Sequence, residues 1–237
     1  MIKLSATQID AYVKFTKDEI SQDMLHESLL RTGKSNVKME LGSIFHSLIE
    51  DKDAKIPQNF FLVNYDNKEM ESSTRYVPLF DAKQIADIRK MFTHGIHESK
   101  QRMILRNGAF GEVMLTGVAD YLYGNTAYEF KTAWGAFSID RYIDSLQWRI
   151  YCMMFGVNKI EYYVFKFPSL SKSINEIQDI DKTLVFDEMH NFTMYANESN
   201  SEYVIQTIRS LIEYINASEL REQMDAEYEA SEFTIFK

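Results

Sequence analysis

Two acids and a lysine near the middle of the chain carry the clearest chemical signal. Asp120 closes the run Gly117-Val118-Ala119-Asp120, and Glu129-Phe130-Lys131 follows shortly after it. Between them stand Gly124 and Asn125, a two-residue loop of the kind that closes a tight hairpin. Counting outward from that turn sets Tyr123 opposite Thr126 and Tyr121 opposite Tyr128. Continued, the same register sets Asp120 opposite Glu129 and Val118 opposite Lys131. Side chains alternate along a strand, so Asp120, Glu129 and Lys131 are expected on one face, and Tyr121, Tyr128 and Phe130 on the other, packed face. Two carboxylates directly opposed across strands repel unless a cation lies between them. Lys131 supplies part of that charge and a divalent ion would supply more. Glu-x-Lys alone is far more often a solvated ion pair on an exposed hairpin; the opposed acid is what brings chemistry level with that reading.

A second chemical residue lies upstream. His46 sits on the flank of an apolar helical stripe formed by Leu41, Ile44, Phe45, Leu48 and Ile49. It is either a partly buried structural histidine or a metal ligand. Downstream, Gln147 and Tyr151 are one helical turn apart and share a face with Ile143. A glutamine on such a line needs a partner if it is buried. Glu112, at the start of the Asp120 strand, reads as a solvated strand end.

The elements that must position these groups follow from periodicity. Ser5 and Gln8 form a capping-box pattern that opens a first helix. Helices are expected over about 18–31, 39–51, 81–104 and 138–156, and through the acidic segment from about 201 to 230. Strands are expected over 60–64, 113–123, 126–133 and 160–167, with another within 184–195. The order predicts a mixed α/β (α+β) fold, a small mixed sheet with the hairpin flanked by helices. Residues 1–237 are read as one domain, with a motif-bearing core over 4–170 and an acidic, mostly helical segment over about 175–237.

Composition narrows the function classes. The chain is 45% hydrophobic and 26% charged, with only Pro 3 and Gly 9, which is ordinary for a globular protein and leaves little room for linkers. No apolar run approaches the roughly 18 residues of a membrane span, and the first residues lack a secretory apolar core, so a cytoplasmic protein is expected. Cys152 is the only cysteine, which excludes an intramolecular disulfide and a four-cysteine cluster; within Tyr-Cys-Met-Met-Phe it reads as core. The net charge of −9 is unevenly placed: residues 175–237 hold 14 acids against 4 bases. Over Lys83–Arg106 the bases dominate, and Arg89, Lys90, Lys100, Arg102 and Arg106 are candidate phosphate contacts, although a solvated helix face fits equally well.

Taken together, Gly117-Val118-Ala119-Asp120, Glu129-Phe130-Lys131 and Gln147-Trp148-Arg149-Ile150-Tyr151 resemble the PD-(D/E)XK nuclease superfamily. Within it they are most similar to the RecB-like and phage recombination exonucleases. Gly42-Ser43-Ile44-Phe45-His46 matches the histidine motif of that group, and the opening Leu4-Ser5-Ala6-Thr7-Gln8-Ile9-Asp10-Ala11-Tyr12 resembles its first helix. The resemblance spans residues 4–156. It implies a restriction-endonuclease-like core and hydrolysis of DNA phosphodiester bonds, with attack on the ends of duplex DNA during recombination or repair. A structure- or sequence-specific endonuclease, or a non-catalytic binding module on the same fold, are the alternatives. By the resemblance, Asp120, Glu129, His46 and the Phe130 carbonyl would hold Mg²⁺ or Mn²⁺. Lys131 would orient or deprotonate the attacking water and help neutralise the scissile phosphate, and Gln147 and Tyr151 would support the site. Some relatives carry an iron–sulfur cluster on four cysteines, which one cysteine cannot provide. A recombination partner protein or a homo-oligomer would fit the group, and no membrane partner is implied.

Overall fold

The computed structural model describes residues 1–50, 60–65 and 73–226. Strand β1 (Ile2–Ser5) leads directly into helix α1 (Ala6–Thr16). The Ser5 side chain accepts from the Gln8 N–H and the Gln8 side chain accepts from the Ser5 N–H, so the expected capping box is present. Helices α2 (Gln22–Leu30) and α3 (Val37–Glu50) follow. Then come the antiparallel pair β2 (Phe60–Tyr65) and β3 (Ser73–Pro78), and helix α4 (Ala82–Met91). Strands β4 (Ile96–Asn107), β5 (Gly111–Tyr123) and β6 (Thr126–Trp134) form a meander. Helices α5 (Asp140–Ile143) and α6 (Gln147–Phe155), strands β7 (Lys159–Phe167) and β8 (Glu188–Tyr195), and helix α7 (Glu198–Ala217) complete the order.

Six strands make one mixed sheet in the order β1-β5-β6-β7-β8, with β4 along the other edge of β5. Apolar side chains of α1, α2, α6 and α7 pack on one face, among them Ile9, Leu25, Ile150, Ile208 and Leu211. Those of α3 and α4 pack on the other, where Phe45, Phe80, Phe92, Phe130, Phe165 and Phe167 form an aromatic layer. The fold is therefore a mixed α/β sandwich, compatible with a restriction-endonuclease-like core, as expected from the element order. The acidic C-terminal segment is not an appendage, because Val204, Ile208, Leu211 and Ile215 of α7 are fully buried in the first core.

Three expectations need correcting. The single helix over 81–104 is a helix and a strand: α4 ends at Met91 and β4 begins at Ile96. The acceptable helical spacing through that stretch conceals alternation from Ile96 onward, where Ile104 and Met103 belong to a strand paired with β5. The helix over 138–156 is interrupted. Half-buried Asp10 of α1 accepts from the Ser145 hydroxyl and the Leu146 N–H, both at 2.5 Å, and so ends α5 and starts α6. The third correction, the hairpin register near Asp120, belongs to the site. The expected helical reading beyond residue 226 lies outside the described residues.

Candidate metal centre

Strand β5 is shared. Residues 111–119, 121 and 122 pair with β4 along one edge; along the other, residues 113–116 pair with β1 and residues 121–123 with β6. Between those two partners residues 117–120 form the crotch of a fork. The turn register holds as counted from Tyr123↔Thr126 to Tyr121↔Tyr128, and then the ladder stops. The expected cross-strand pairs Asp120–Glu129 and Val118–Lys131 are therefore absent. A continued antiparallel ladder would offer the Phe130 N–H the Ala119 carbonyl. Instead Phe130 donates to Asp120 Oδ2 at 2.6 Å. The Asp120 carboxylate wedges the strands apart by taking the place of a backbone acceptor. The N–H and C=O of one strand residue point to the same side, so the Phe130 carbonyl opens toward this crotch too.

Helix α3 brings His46 to the same place. Its Nδ1 lies 3.4 Å from Asp120 Oδ1 and 3.5 Å from Glu50 Oε1 one turn along. One ligand atom from each of His46, Glu50 and Asp120 fall within 4.8 Å of one another, a donor set of one imidazole and two carboxylates suited to a divalent transition metal. Glu50 was missed from sequence, although its position four residues after His46 on one helix is the signal that could have found it. Burial works against a charged His46, but hydrogen bonds to Asp120 and Glu50 outweigh it and hold the imidazole at about 9. Burial raises Asp120, and Lys131, His46 and the Phe130 N–H more than reverse that, leaving its carboxyl below the ordinary range. Burial lifts Glu50 despite His46 beside it.

Glu129 and Lys131 project on the side of α1 and α6. Glu129 is fully buried; its Oε2 accepts from Lys131 at 2.7 Å and from the Gln147 side chain at 3.3 Å. Its Oε1 is buried with no protein partner among the described residues. Burial and the nearby Asp120 charge push the Glu129 carboxyl up to about 7. Burial opposes the Lys131 charge, yet Glu129 and Asp120 raise its pKa above the usual lysine range, so it stays an ammonium. Tyr151, raised to about 12 mainly by burial, bonds to Gln147 and to the Val118 backbone. Tyr151, Gln147 and Glu129 thus form a polar chain. The structure brings the predicted residues together, with Glu50 added, as two adjoining groups, His46–Glu50–Asp120 and Glu129–Lys131–Gln147–Tyr151. Tyr121 and Phe130 pack on the opposite face as expected, 3% and 0% exposed.

Two cavities are lined in part by these residues. One of about 650 Å³ runs between α1, α5 and β7 and is lined by Lys14, Lys17, Lys131, Arg141, Gln147 and Tyr162, among others. The other, of about 490 Å³, lies by Ser5, Thr7, Gly117, Val118 and Tyr151, with Arg31, Lys100 and Arg102 as its charged residues. The candidate phosphate contacts therefore divide. Lys100 and Arg102 line this acid-free groove. Lys90 instead pairs with Asp87, Arg106 with Glu112, and Arg89 donates to the Leu48 carbonyl. The five do not share the one helix face that the sequence suggested, because the chain changes from helix to strand between them. Glu112, half exposed beside Arg106, is the solvated strand end expected, and Cys152 is core.

No family model matches the sequence, and no curated protein matches it. Among solved structures, SSO0001 aligns with a TM-score of 0.49 and 11% identity over 90% of this chain and 77% of that one. LHK-Exo in complex with dAMP aligns with a TM-score of 0.45 and 10% identity, over 98% of this chain and 94% of that one. The alkaline exonuclease LHK-Exo from Laribacter hongkongensis aligns with a TM-score of 0.41 and 9% identity over the same shares, 98% and 94%.

Proposed function

We propose that the chain is a single-domain, divalent-cation-dependent nuclease that hydrolyses DNA phosphodiester bonds. Its subtype in this reading is an exonuclease acting on duplex ends in recombination or repair. One observation carries the proposal: a His46–Glu50–Asp120 donor set adjoins a buried Glu129–Lys131 pair whose Glu129 Oε1 has no partner among the described residues. A buried carboxylate oxygen without a donor is costly in a chain that folds for packing alone, and a cation satisfies it. His46, Asp120 and Glu50, with Glu129 and the Phe130 carbonyl beside them, are the residues that would hold Mg²⁺ or Mn²⁺; the imidazole favours Mn²⁺. When bound, such an ion supplies Lewis acidity, easing deprotonation of the attacking water and offsetting charge on the phosphate.

The chain's own residues do the rest. Lys131, held as an ammonium, acts as a fixed positive donor toward the scissile phosphate and not as the base that the resemblance allowed. Gln147 and Tyr151 lock the Glu129 rotamer. Lys100 and Arg102 offer charge to the backbone leading to the site. The test is digestion of matched linear, nicked and covalently closed circular DNA with Mg²⁺, Mn²⁺ and EDTA. Loss of linear DNA with survival of closed circles is expected. Linearised circles would favour an endonuclease, and equal cleavage in EDTA would reject the cation site.

A further inference from the structure

Strand β7 places Tyr162 beside Glu129 in the parallel register, so both side chains leave the same face of the sheet. Tyr162 is 1% exposed, its ring stacked on Phe192 at 5.2 Å and tilted against Tyr142 at 5.4 Å. A phenylalanine would make the same two ring contacts. The hydroxyl is what a phenylalanine would lack, and it is buried with no partner among the described residues, on a residue lining the cavity that Lys131 and Gln147 also line. Two buried oxygens without a partner among the described residues, Tyr162 Oη and Glu129 Oε1, thus belong to residues paired directly across β6 and β7, two positions along β6 from Lys131. Lys131 has three N–H donors and spends one on Glu129.

We propose that Tyr162 is a positioning residue whose hydroxyl holds the Lys131 ammonium in the cavity when the Glu129 carboxylate is engaged elsewhere. A lysine has four rotatable bonds, and with Glu129 turned away Lys131 has no other anchor of this kind on β7. The hydroxyl accepts a second Lys131 proton and keeps the ammonium facing the cavity, where a phosphate would meet it. Burial and the neighbouring Glu129 charge keep the phenol protonated, so the hydroxyl serves as an uncharged acceptor at any working pH.

The proposal rests on the nuclease reading only in its kinetic arm. The first experiment needs no catalysis: the rate at which an amine-acylating reagent labels Lys131, read by peptide mass spectrometry. Glu129→Gln removes the carboxylate that pairs directly with Lys131, so the contribution of the Tyr162 hydroxyl can be read with Asp120 unchanged. In that background, Tyr162→Phe should raise Lys131 labelling about threefold or more, since losing an acceptor frees the amine. Tyr163→Phe, on the opposite face of the same strand, should leave it unchanged. Equal labelling with and without the Tyr162 hydroxyl overturns the proposal. The second experiment is steady-state cleavage of linear DNA by Tyr162→Phe alone. A kcat lower by about tenfold with KM unchanged is expected, the mark of an interaction made in the transition state, with a melting temperature no lower than the parent's. An unchanged kcat, or a loss matched by a fall in melting temperature, also overturns it. A parent that cleaves nothing while labelling responds as stated sinks the nuclease reading and leaves the Tyr162–Lys131 contact standing.

Discussion

In the metal-free protein, His46 should make stability fall steeply between neutral and mildly alkaline pH. Asp120 and Glu50 hold its imidazolium, raising the folded-state value from 6.5 to about 9. A group whose folded value lies above its unfolded one adds stability that is complete below the unfolded value and disappears as pH rises through the folded value. The window is thus 6.5 to about 9. At about 1.4 kcal/mol per unit, His46 contributes on the order of 3 kcal/mol that is lost across it. For a chain of this length that is roughly 6–12 °C in melting temperature. Glu129 titrates in the same direction but earlier, from 4.5 to about 7, and Cys152 later, from 9 to about 11, so the middle of the alkaline window belongs to His46. The assay is thermal unfolding in EDTA across that range for the parent and for His46→Gln, which cannot titrate. The variant should be less stable near neutrality and should lose the slope. A parent profile that is flat, or a variant that keeps the parent's slope, would refute the bridge between Asp120 and Glu50.

Asp120→Asn should destabilise the metal-free protein by roughly 1.5–3 kcal/mol, the range for hydrogen bonds to a charged group, because Asp120 anchors both His46 and the Phe130 N–H; denaturant titration in EDTA decides, and a gain in stability would restore the opposed-acid register. Replacing Lys100 and Arg102 by Ala should reduce the log–log salt slope of DNA binding by about 1.4–1.8, at 0.7–0.9 per phosphate contact; an unchanged slope returns the groove to a solvated surface. Gly95→Ala should cost roughly 1–3 kcal/mol through overpacking, since its new methyl would collide with the Leu122 carbonyl and the Tyr121 ring; chemical denaturation reads it, and parent-like stability would contradict that close approach. Cys152, buried and pushed up to about 11, should resist iodoacetamide in the folded state and react only on unfolding, as thiol alkylation followed by mass spectrometry will show; rapid labelling of native protein would place it outside the core.

Much of this was legible because local rules and tertiary packing agree. Gly124-Asn125 announced the hairpin, the Leu41–Ile49 stripe announced α3, and Tyr121 and Phe130 fell on the packed face as alternation requires. The failures came where one local signal yields to a distant partner. Nothing in residues 138–156 reveals the break at Asp144–Leu146, because the agent is Asp10, more than a hundred residues away. The stretch after Met91 reads as helix or strand on spacing, and only pairing with β5 decides it. Glu50 needed His46 to be taken seriously as a ligand first; Tyr162, in an apolar run, looks from sequence like any core aromatic.

The hairpin register shows why an active centre defeats the simplest count. Pairing rules carry a ladder forward until some group outcompetes the backbone, and at Asp120 a carboxylate does so by accepting the Phe130 N–H. The other edge yields at the same point: His97↔Tyr121 and Ser99↔Ala119 pair, while Glu98 between them has a left-handed φ of 47° and no pairing with Asp120. A non-glycine residue held there costs on the order of 1–3 kcal/mol, and the Glu98 carboxyl reaches Glu50. Both ladders of β5 are therefore interrupted at Asp120; there Asp120 turns toward His46, and Glu98 reaches Glu50. Were Asp120 merely a strand residue, closing both ladders would recover backbone hydrogen bonds and relax Glu98. That the fold leaves them open ties the departure from regular structure to the cluster that the departure creates.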